Sequence, residues 1–567
     1  MRRTLASVVW WRLSFVAVLA LAAGCGDSTE SRGTSGVEQT TAAEPDFDIV
    51  VYGGTSSGVV AAVQAARMGK RVVLIARDGH IGGLATSGLT ATDMNKYRAV
   101  GGVAREFYQA VYSHYQDEAA WRGPDRSTYF ASIQKRVYSG KNDETKMQWV
   151  YESRVAEKIM RRMLDKAGVT LASGQRLRRP GGVEKTGARI QRVAMESGET
   201  YSAHVFVDAS YTGDLMALAG VDYVVGRESQ AKYGESHAGF LANDVFGAPG
   251  EPPVSIDPFV TPGEPSSDLL PFIDAAPSGQ TGQGDARTQA YCYRVTMTDD
   301  PGNRLPNAKP EDYNPLWYEY LARYLALNPA LEIRRIMTLT PMPSRKADVN
   351  GIDLVGAGYG YADGSYAERA EIRSKHRSFA LGMFWFLEND ARVPVHIRAE
   401  MARWGLPKDE FTDNGGFPRR LYVREGRRMV SDHVMTQRDA MPNAKQLPDP
   451  AGLASYSLDS HRVARFVDNE GKVREEGHFY ARSGTYGVSY RSIRPRKSQC
   501  ENLLVPVTLS ASHVAYGSIR MEPVYMVLGQ SAATAAVLSL EGARAVQDVP
   551  YDELRGRLEA DGQILSP

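Results

Sequence analysis

Three short segments carry side chains able to do acid–base or anion chemistry. The first, SASHVAYGSIRME, places His513, Arg520 and Glu522 within ten residues. A histidine titrates near neutrality and can accept a proton from a substrate hydroxyl or amine. An arginine offers a planar fork to a carboxylate or to developing negative charge. The second segment, LYVREGRRM, packs Tyr422, Arg424, Glu425, Arg427 and Arg428 together. So dense a charge run is usually a solvated or salt-bridged face; Arg424 is its best candidate for gripping an anionic or hydroxyl-rich substrate. The third, YSLDSHRV, sets Asp459 two residues before His461, and on a strand both point to one face. Tyr490–Arg491 is a further candidate. His513, Arg520, Arg424 and His461 are the candidate catalytic residues. The alternatives are that His513 caps or packs its loop and that Asp459–His461 belongs to a structural polar network.

Other chemistries find little support. The three cysteines, Cys25, Cys292 and Cys500, are far apart with no CxxC, against a zinc site or a thiolate-held iron–sulfur cluster. A Cys292–Cys500 disulfide has only weak support from spacing. His433, His461, His478 and His513 lack metal-ligand spacing, and no GxSxG elbow of a serine hydrolase occurs. A net charge of +1 over 567 residues gives no nucleic-acid footprint. The length implies two or three domains.

The elements that must position these groups begin at Phe47. FDIVVY, residues 47–52, has the pattern of a buried parallel strand. GGTSSG follows, then VVAAVQAARMG as a helix stopping at Gly69, then RVVLIA, residues 71–76, as a second strand. A strand, glycine turn, helix and strand in about thirty residues is a dinucleotide-binding unit. Gly53 and Gly54 make the turn and Gly58 brings helix and strand together. The backbone around Thr55 and Ser57 faces a pyrophosphate at the helix N-terminus. There are two departures. Thr55 stands at the middle glycine of the fingerprint. Ala76 and Arg77 stand where an acid should meet the ribose. Asp78 or the backbone can substitute, whereas Arg77 would equally suit a 2′-phosphate. The Gly82–Gly83 pair of HIGGLATSGLTATD resembles the second flavin-contacting motif of the glutathione-reductase-like flavoproteins, which a nicotinamide phosphate site alone does not need.

Seven blocks extend this beyond the first turn: GGTSSGVVAAVQAARMG, HIGGLATSGLTATD, FVDASYTGDLMALAGVDYVVGRES, DNGGFPRRLYVREGRRMVSDHVMTQRD, YSLDSHRV, YGVSYRSIRP and NLLVPVTLSASHVAYGSIRMEPVYMVLGQSAATAA. Together they resemble the FAD-dependent oxidoreductase family of glutathione-reductase-like flavoproteins, some of whose members are labelled xanthan lyase or heterodisulfide-reductase-like. The resemblance runs from about residue 47 to 540. It implies FAD and a redox reaction, and leaves the substrate open. It implies an α/β fold, with a discontinuous Rossmann-like FAD/NAD(P)-binding domain and an inserted α+β substrate or cap domain. The corresponding boundaries are 46–225 and 497–567 for the FAD domain and 226–496 for the insert. The cofactor-binding set is Gly53, Gly54, Thr55, Ser57, Gly58, Arg77, Gly82, Gly83, Leu84, Ala209, Gly213 and Glu522. In such folds the helix of MEPVYMVLGQSAATAAVLSLEG aims its positive end at the flavin pyrimidine, and the LSASHVAYGSIR segment before it is expected to be a loop that brings His513 near the flavin. A Pro/Gly-rich stretch, 247–284, is an insertion or a lid.

The N-terminus is an address. Arg2, Arg3 and Arg12 precede an apolar run from Leu13 to Ala23, and Ala22-Ala23-Gly24 leads to Cys25. This resembles a bacterial lipoprotein signal over residues 1–25, cleaved before a lipidated Cys25. Residues 26–45 follow as a disordered tether. The expected protein is an exported flavoenzyme of the cell envelope, held at the membrane only by a lipid anchor. It is expected to transfer hydride from a small polar substrate, hydroxylated or sugar-like, to flavin N5, with an unidentified electron acceptor. The rival readings are a non-redox flavoprotein such as a carbohydrate lyase, and an envelope binding protein on a degenerate flavin fold.

Overall fold

The computed structural model describes residues 44–94, 96–134, 140–243 and 255–567. The leader, Cys25, nearly all of the tether, and Pro249, Pro252 and Pro253 lie outside the described residues. Strand β1 (Phe47–Tyr52) runs through the glycine turn into α1 (Ser56–Arg67) and then β2 (Val72–Ile75). The two strands are parallel, with Ile49 opposite Val72 and Tyr52 opposite Ile75. Helix α2 (Ser153–Ala167) leads to β3 (Thr170–Ala172), parallel on the far edge of β2. A hairpin of β4 (Val183–Thr186) and β5 (Arg189–Ala194) feeds β6 (Thr200–Asp208), which lies parallel to β1. Side chains alternate across this sheet. Ile49, Val51, Val72 and Leu74 join the core that holds α1; Val50, Tyr52, Val73 and Ile75 face the opposite core. Both faces are covered, which explains why the strands are apolar throughout.

The middle of the chain builds a second core. Strands β7 (Val295–Thr298), β8 (Thr338–Met342) and β9 (Lys346–Asn350) form an antiparallel sheet with β9 central. Val295, Met297 and Val349 pack with Phe379, Phe384 and Phe386 of the long helix α3 (Tyr366–Asn389). Leu270 and Ile273, from the Pro/Gly-rich stretch, are buried there too. A short pair, β10 (Leu458–Ser460) and β11 (Phe479–Ala481), follows.

The chain then returns to the first sheet. β12 (Leu503–Leu504) lies parallel to Phe206 and Val207, giving the parallel order β3-β2-β1-β6-β12. The segment expected as a loop contains helix α4 (His513–Ile519), a correction. Ser512 caps it, its hydroxyl accepting from the Ala515 N–H at 3.1 Å. Every residue of α4 is buried, so no amphipathic stripe marked it as a helix. Helix α5 (Glu522–Glu541) is likewise buried nearly all round. It crosses α1 closely: a Cβ on Gly529 would lie 2.4 Å from the Ser57 carbonyl oxygen.

Candidate functional site

Two glycines shape the turn between β1 and α1. Gly53 has φ +115°, and a Cβ there would lie 2.7 Å from the Ala209 backbone. A Cβ on Gly58 would lie 1.9 Å from the Gly53 carbonyl oxygen, so α1 starts directly against the strand ends. Thr55 needs no glycine freedom. Its backbone is extended (φ −83°, ψ 175°). Its hydroxyl donates to the Ala209 carbonyl at 2.8 Å and accepts from the Gly58 N–H at 3.1 Å. Threonine is therefore the N-cap of α1. A Cβ on Gly54 would lie 2.8 Å from the Ala76 Cβ, so the small side chain at 76 closes against the turn. The Ser57 hydroxyl lies 2.8 Å from a Gly529 Cβ position and has no hydrogen-bond partner; that side chain packs between α1 and α5. Gly213 starts the short helix Asp214–Leu218 behind the turn.

The turn lines a cavity whose walls are cationic. Arg77, Arg369, Arg373, Arg419 and Arg420 border it, with Asp214 the sole lining carboxylate among the described residues. Asp214 is itself gripped by Arg369 at 2.7 and 2.9 Å and by Arg427 at 2.8 Å. Burial works to raise its pKa, but these arginines hold it well below the usual carboxylate range. Asp78, the nominated ribose acid, accepts instead from Arg420 at 3.0 Å and from the His80 N–H at 3.1 Å. Glycine turn, helix N-terminus and excess arginine together fit a dianionic pyrophosphate. Of these arginines only Arg77 was singled out in the sequence. Arg419 and Arg420 stood unassigned in NGGFPRRLYV, and Arg369 and Arg373 sit one helical turn apart in α3 without a motif.

Beside the turn, a buried hydrogen-bond network joins four segments. The Gly82 N–H donates to the Gly54 carbonyl at 2.9 Å, and the Leu84 N–H donates to the Tyr211 hydroxyl at 2.9 Å. A Cβ on Gly83 would lie 2.2 Å from that hydroxyl. Tyr211 in turn donates to Glu522 Oε1 at 2.7 Å, and the Ser56 hydroxyl donates to Glu522 Oε2 at 2.5 Å. Glu522 opens α5 and is 2 % exposed. Burial pushes its pKa up to about 7.

Three of the four candidate catalytic residues come together. Arg520 donates to the Tyr422 hydroxyl at 2.6 Å and to Asp459 at 2.8 Å. His461 Nδ1 meets Asp353 at 2.5 Å, and its Nε2 lies 3.8 Å from Asp459. Arg424 reaches the other Asp353 oxygen at 2.9 Å. The Tyr422 ring lies beneath both guanidinium groups, 4.8 Å from that of Arg424 and 5.7 Å from that of Arg520. Burial, then Arg424, lowers the His461 pKa. Burial works to raise that of Asp353, but Arg424 and His461 hold it well below the usual range. The charge run is thus a buried network rather than a solvated face: Arg424 is 1 % exposed and Arg428 0 %.

His513 lies in a different cluster. It is the first residue of α4, its Nδ1 is 2.7 Å from Glu425, and its N–H donates to Glu228 at 2.9 Å. Its Nε2 is buried without a partner among the described residues. Burial, then Arg428 and Arg227, depresses its pKa to about 3. Gln289 bridges the two clusters, donating to Glu425 at 3.2 Å and accepting from the His461 N–H at 3.2 Å. Tyr490 and Arg491 lie elsewhere, Tyr490 bonded to the Val546 carbonyl and Arg491 to Asp449. Cys292 and Cys500 are both free and buried. Asp93, at the end of the TATD block, borders the space beside Arg294 and was not singled out in the sequence.

Sheet order, glycine turn and cationic cavity define a Rossmann-type dinucleotide-binding protein. The chain belongs to the FAD dependent oxidoreductase family, whose family model matches residues 48–558; it is an FAD-dependent oxidoreductase. No curated protein sequence matches it. Solved structures resemble it in part. An L-amino acid deaminase from Proteus vulgaris is 17% identical over 35% of this chain and 55% of its own, with a TM-score of 0.22. L-proline dehydrogenase from P. horikoshii is 17% identical over 32% of this chain and 58% of its own, with a TM-score of 0.20. An aklavinone-11 hydroxylase, in complex with FAD and aklavinone, is 17% identical over 33% of this chain and 37% of its own, with a TM-score of 0.22. The chain therefore spans less than two thirds of each of these neighbours.

Proposed function

We propose that this protein oxidises a small polar, hydroxylated substrate, sugar-like in its chemistry, with hydride passing to flavin N5, and that it works at a bacterial cell envelope, anchored by a lipidated Cys25. The observation that carries the catalytic part is the network of Arg424, Asp353, His461, Asp459, Arg520 and Tyr422, in which Arg520 lies two residues before the start of α5. When bound, FAD supplies the two-electron acceptor. Arg77, Arg419 and Arg420 would neutralise its pyrophosphate at the α1 N-terminus, and Glu522 would accept from a cofactor hydroxyl. The Nε–H groups of Arg520 and Arg424, unpartnered among the described residues, are the donors left for a substrate oxygen. Asp353 and Asp459 fix those forks and orient His461, so the donors are pre-set for a polar ligand. With Thr55 a helix cap and Ala76 packed on Gly54, the two features that favoured a degenerate site have structural accounts.

The test is a purified chain beginning at residue 46, its visible spectrum, and anaerobic titration with monosaccharides and linear polyols. One FAD per chain and bleaching by a hydroxylated compound are expected. A flavin that binds but is bleached by none of them overturns the substrate class. A radiolabelled fatty acid that fails to label full-length protein at Cys25 in bacterial cells overturns the anchor.

A further inference from the structure

Asp93 is an exposed carboxylate without a partner among the described residues, whereas Asp348, Asp353 and Asp459 near it each pair with an arginine. Asp348 pairs with Arg294 at 2.8 Å, Asp353 with Arg424 at 2.9 Å and Asp459 with Arg520 at 2.8 Å. Asp93 makes no hydrogen bond or ion pair among the described residues, and its side chain is open to solvent-sized space. That space is a cavity of about 310 Å³ that Asp93 lines with Arg294, Thr340 and Asn350. Asp93 also lines a narrow crevice of about 20 Å³ bordered by Tyr456, Met521 and Pro523, at the start of α5. Among the described residues no other lines both. A wider cavity of about 1020 Å³ also borders Thr338, Leu339 and Pro341. Asp93 thus stands between a substrate-sized space and the helix end that carries Arg520 and Glu522.

We propose that Asp93 is the base that takes the hydroxyl proton of the substrate, which sits in the cavity shared with Arg294. This rests on the oxidation proposed above. The substrate O–H bond breaks and its proton goes to an Asp93 oxygen. The C–O bond becomes a carbonyl, and the carbon-bound hydrogen leaves with its electron pair to FAD, the oxidant of the family's reaction. A base must reach the proton it removes. Asp93 keeps both oxygens for that purpose, whereas Asp353 and Asp459 are committed to arginines and His461. Its surroundings suit the role. The side chain is exposed to the cavity, but the protein packed around that cavity raises its pKa against the opposing Arg294 and Arg520, and Asp348 and Asp459 add to the rise. Tyr422, Tyr456 and Lys96 are further ionisable groups around it.

The experiment is anaerobic stopped-flow bleaching of the FAD-loaded protein by the monosaccharide or polyol that reduces it, in wild type, Asp93→Asn and Asp93→Glu. Asp93→Asn should keep one FAD per chain and an unaltered flavin spectrum, which establishes that it folds. Its bleaching rate should fall about 10²–10⁴-fold, the usual contribution of a general base, with little change in substrate Kd. The wild-type rate should rise with pH through one ionisation above the ordinary carboxylate value and then level off. Asp93→Asn should lack that rise, and Asp93→Glu should regain part of the rate. An Asp93→Asn protein with wild-type rate and pH profile overturns the assignment and leaves the oxidation standing. A wild type that no hydroxylated compound bleaches overturns both.

Discussion

Replacing Glu522 by glutamine should remove part of the pH dependence of stability. The native carboxyl is 2 % exposed, with an ordinary pKa of 4.5 pushed up to about 7 by burial. Between those values the native state holds a proton that the unfolded chain has lost. Raising the pH through this window therefore favours unfolding: the stabilisation is fully present below pH 4.5 and gone above pH 7. At about 1.4 kcal/mol per pH unit the loss is about 3 kcal/mol. Glutamine keeps the shape and cannot ionise. Its oxygen accepts from Tyr211, and its amide can donate to the Ser56 hydroxyl, which in the native protein donates to the carboxylate. The assay is urea unfolding of FAD-free protein from pH 4.5 to 8, in wild type and Glu522→Gln. Asp208, raised to about 6, and Glu410, raised to about 7, contribute slopes of the same sign. They are present in both proteins and cancel in the difference. Glu522→Gln should gain on wild type by about 3 kcal/mol across the window. Parallel curves would show that the carboxylate is solvated or paired in a way its network does not provide, and the argument from burial would fail.

Gly58→Ala should abolish FAD retention, because the new methyl would meet the Gly53 carbonyl at 1.9 Å and the turn would have to open; flavin absorbance per chain measures this, and full occupancy would sink the steric account. Arg520→Met leaves Asp459 without its guanidinium partner, and breaking such a buried pair costs about 3–5 kcal/mol. A clear drop in melting temperature and weaker substrate binding are expected, whereas an unchanged melting curve would mean the pair is solvated. His513→Gln should resist acid better than wild type. The unfolded histidine takes a proton below about pH 6.5 and the native one only near 3, so wild-type stability falls as pH drops through that window. Equal acid-unfolding midpoints would contradict this.

The cofactor end of the site was legible because its constraints are local. The turn, the cap and the helix start occupy consecutive residues from Gly53 to Gly58, and steric exclusion at a backbone turn appears directly as residue type. Thr55 could be read only in part: as a substitute for glycine it looked like a defect, whereas the structure makes it the cap that bonds Ala209, more than 150 residues away. The loop expected at LSASHVAYGSIR contains α4, seven residues long and buried on every side, which leaves no amphipathic period to read.

By itself, the sequence determined that a dinucleotide would be held at the N-terminus of a helix on a parallel sheet, because glycine geometry and strand apolarity leave few other solutions. Only the tertiary structure decided which charged groups meet. Arg424, Asp353, His461, Asp459 and Arg520 come from separate segments, so their pairing depends on how two cores pack. The same packing encloses His513 with Glu425 and opens Asp93 to a cavity. A histidine and an aspartate carry no mark in sequence of which will be walled in and which will face a ligand, because burial and field are set by neighbours hundreds of residues away.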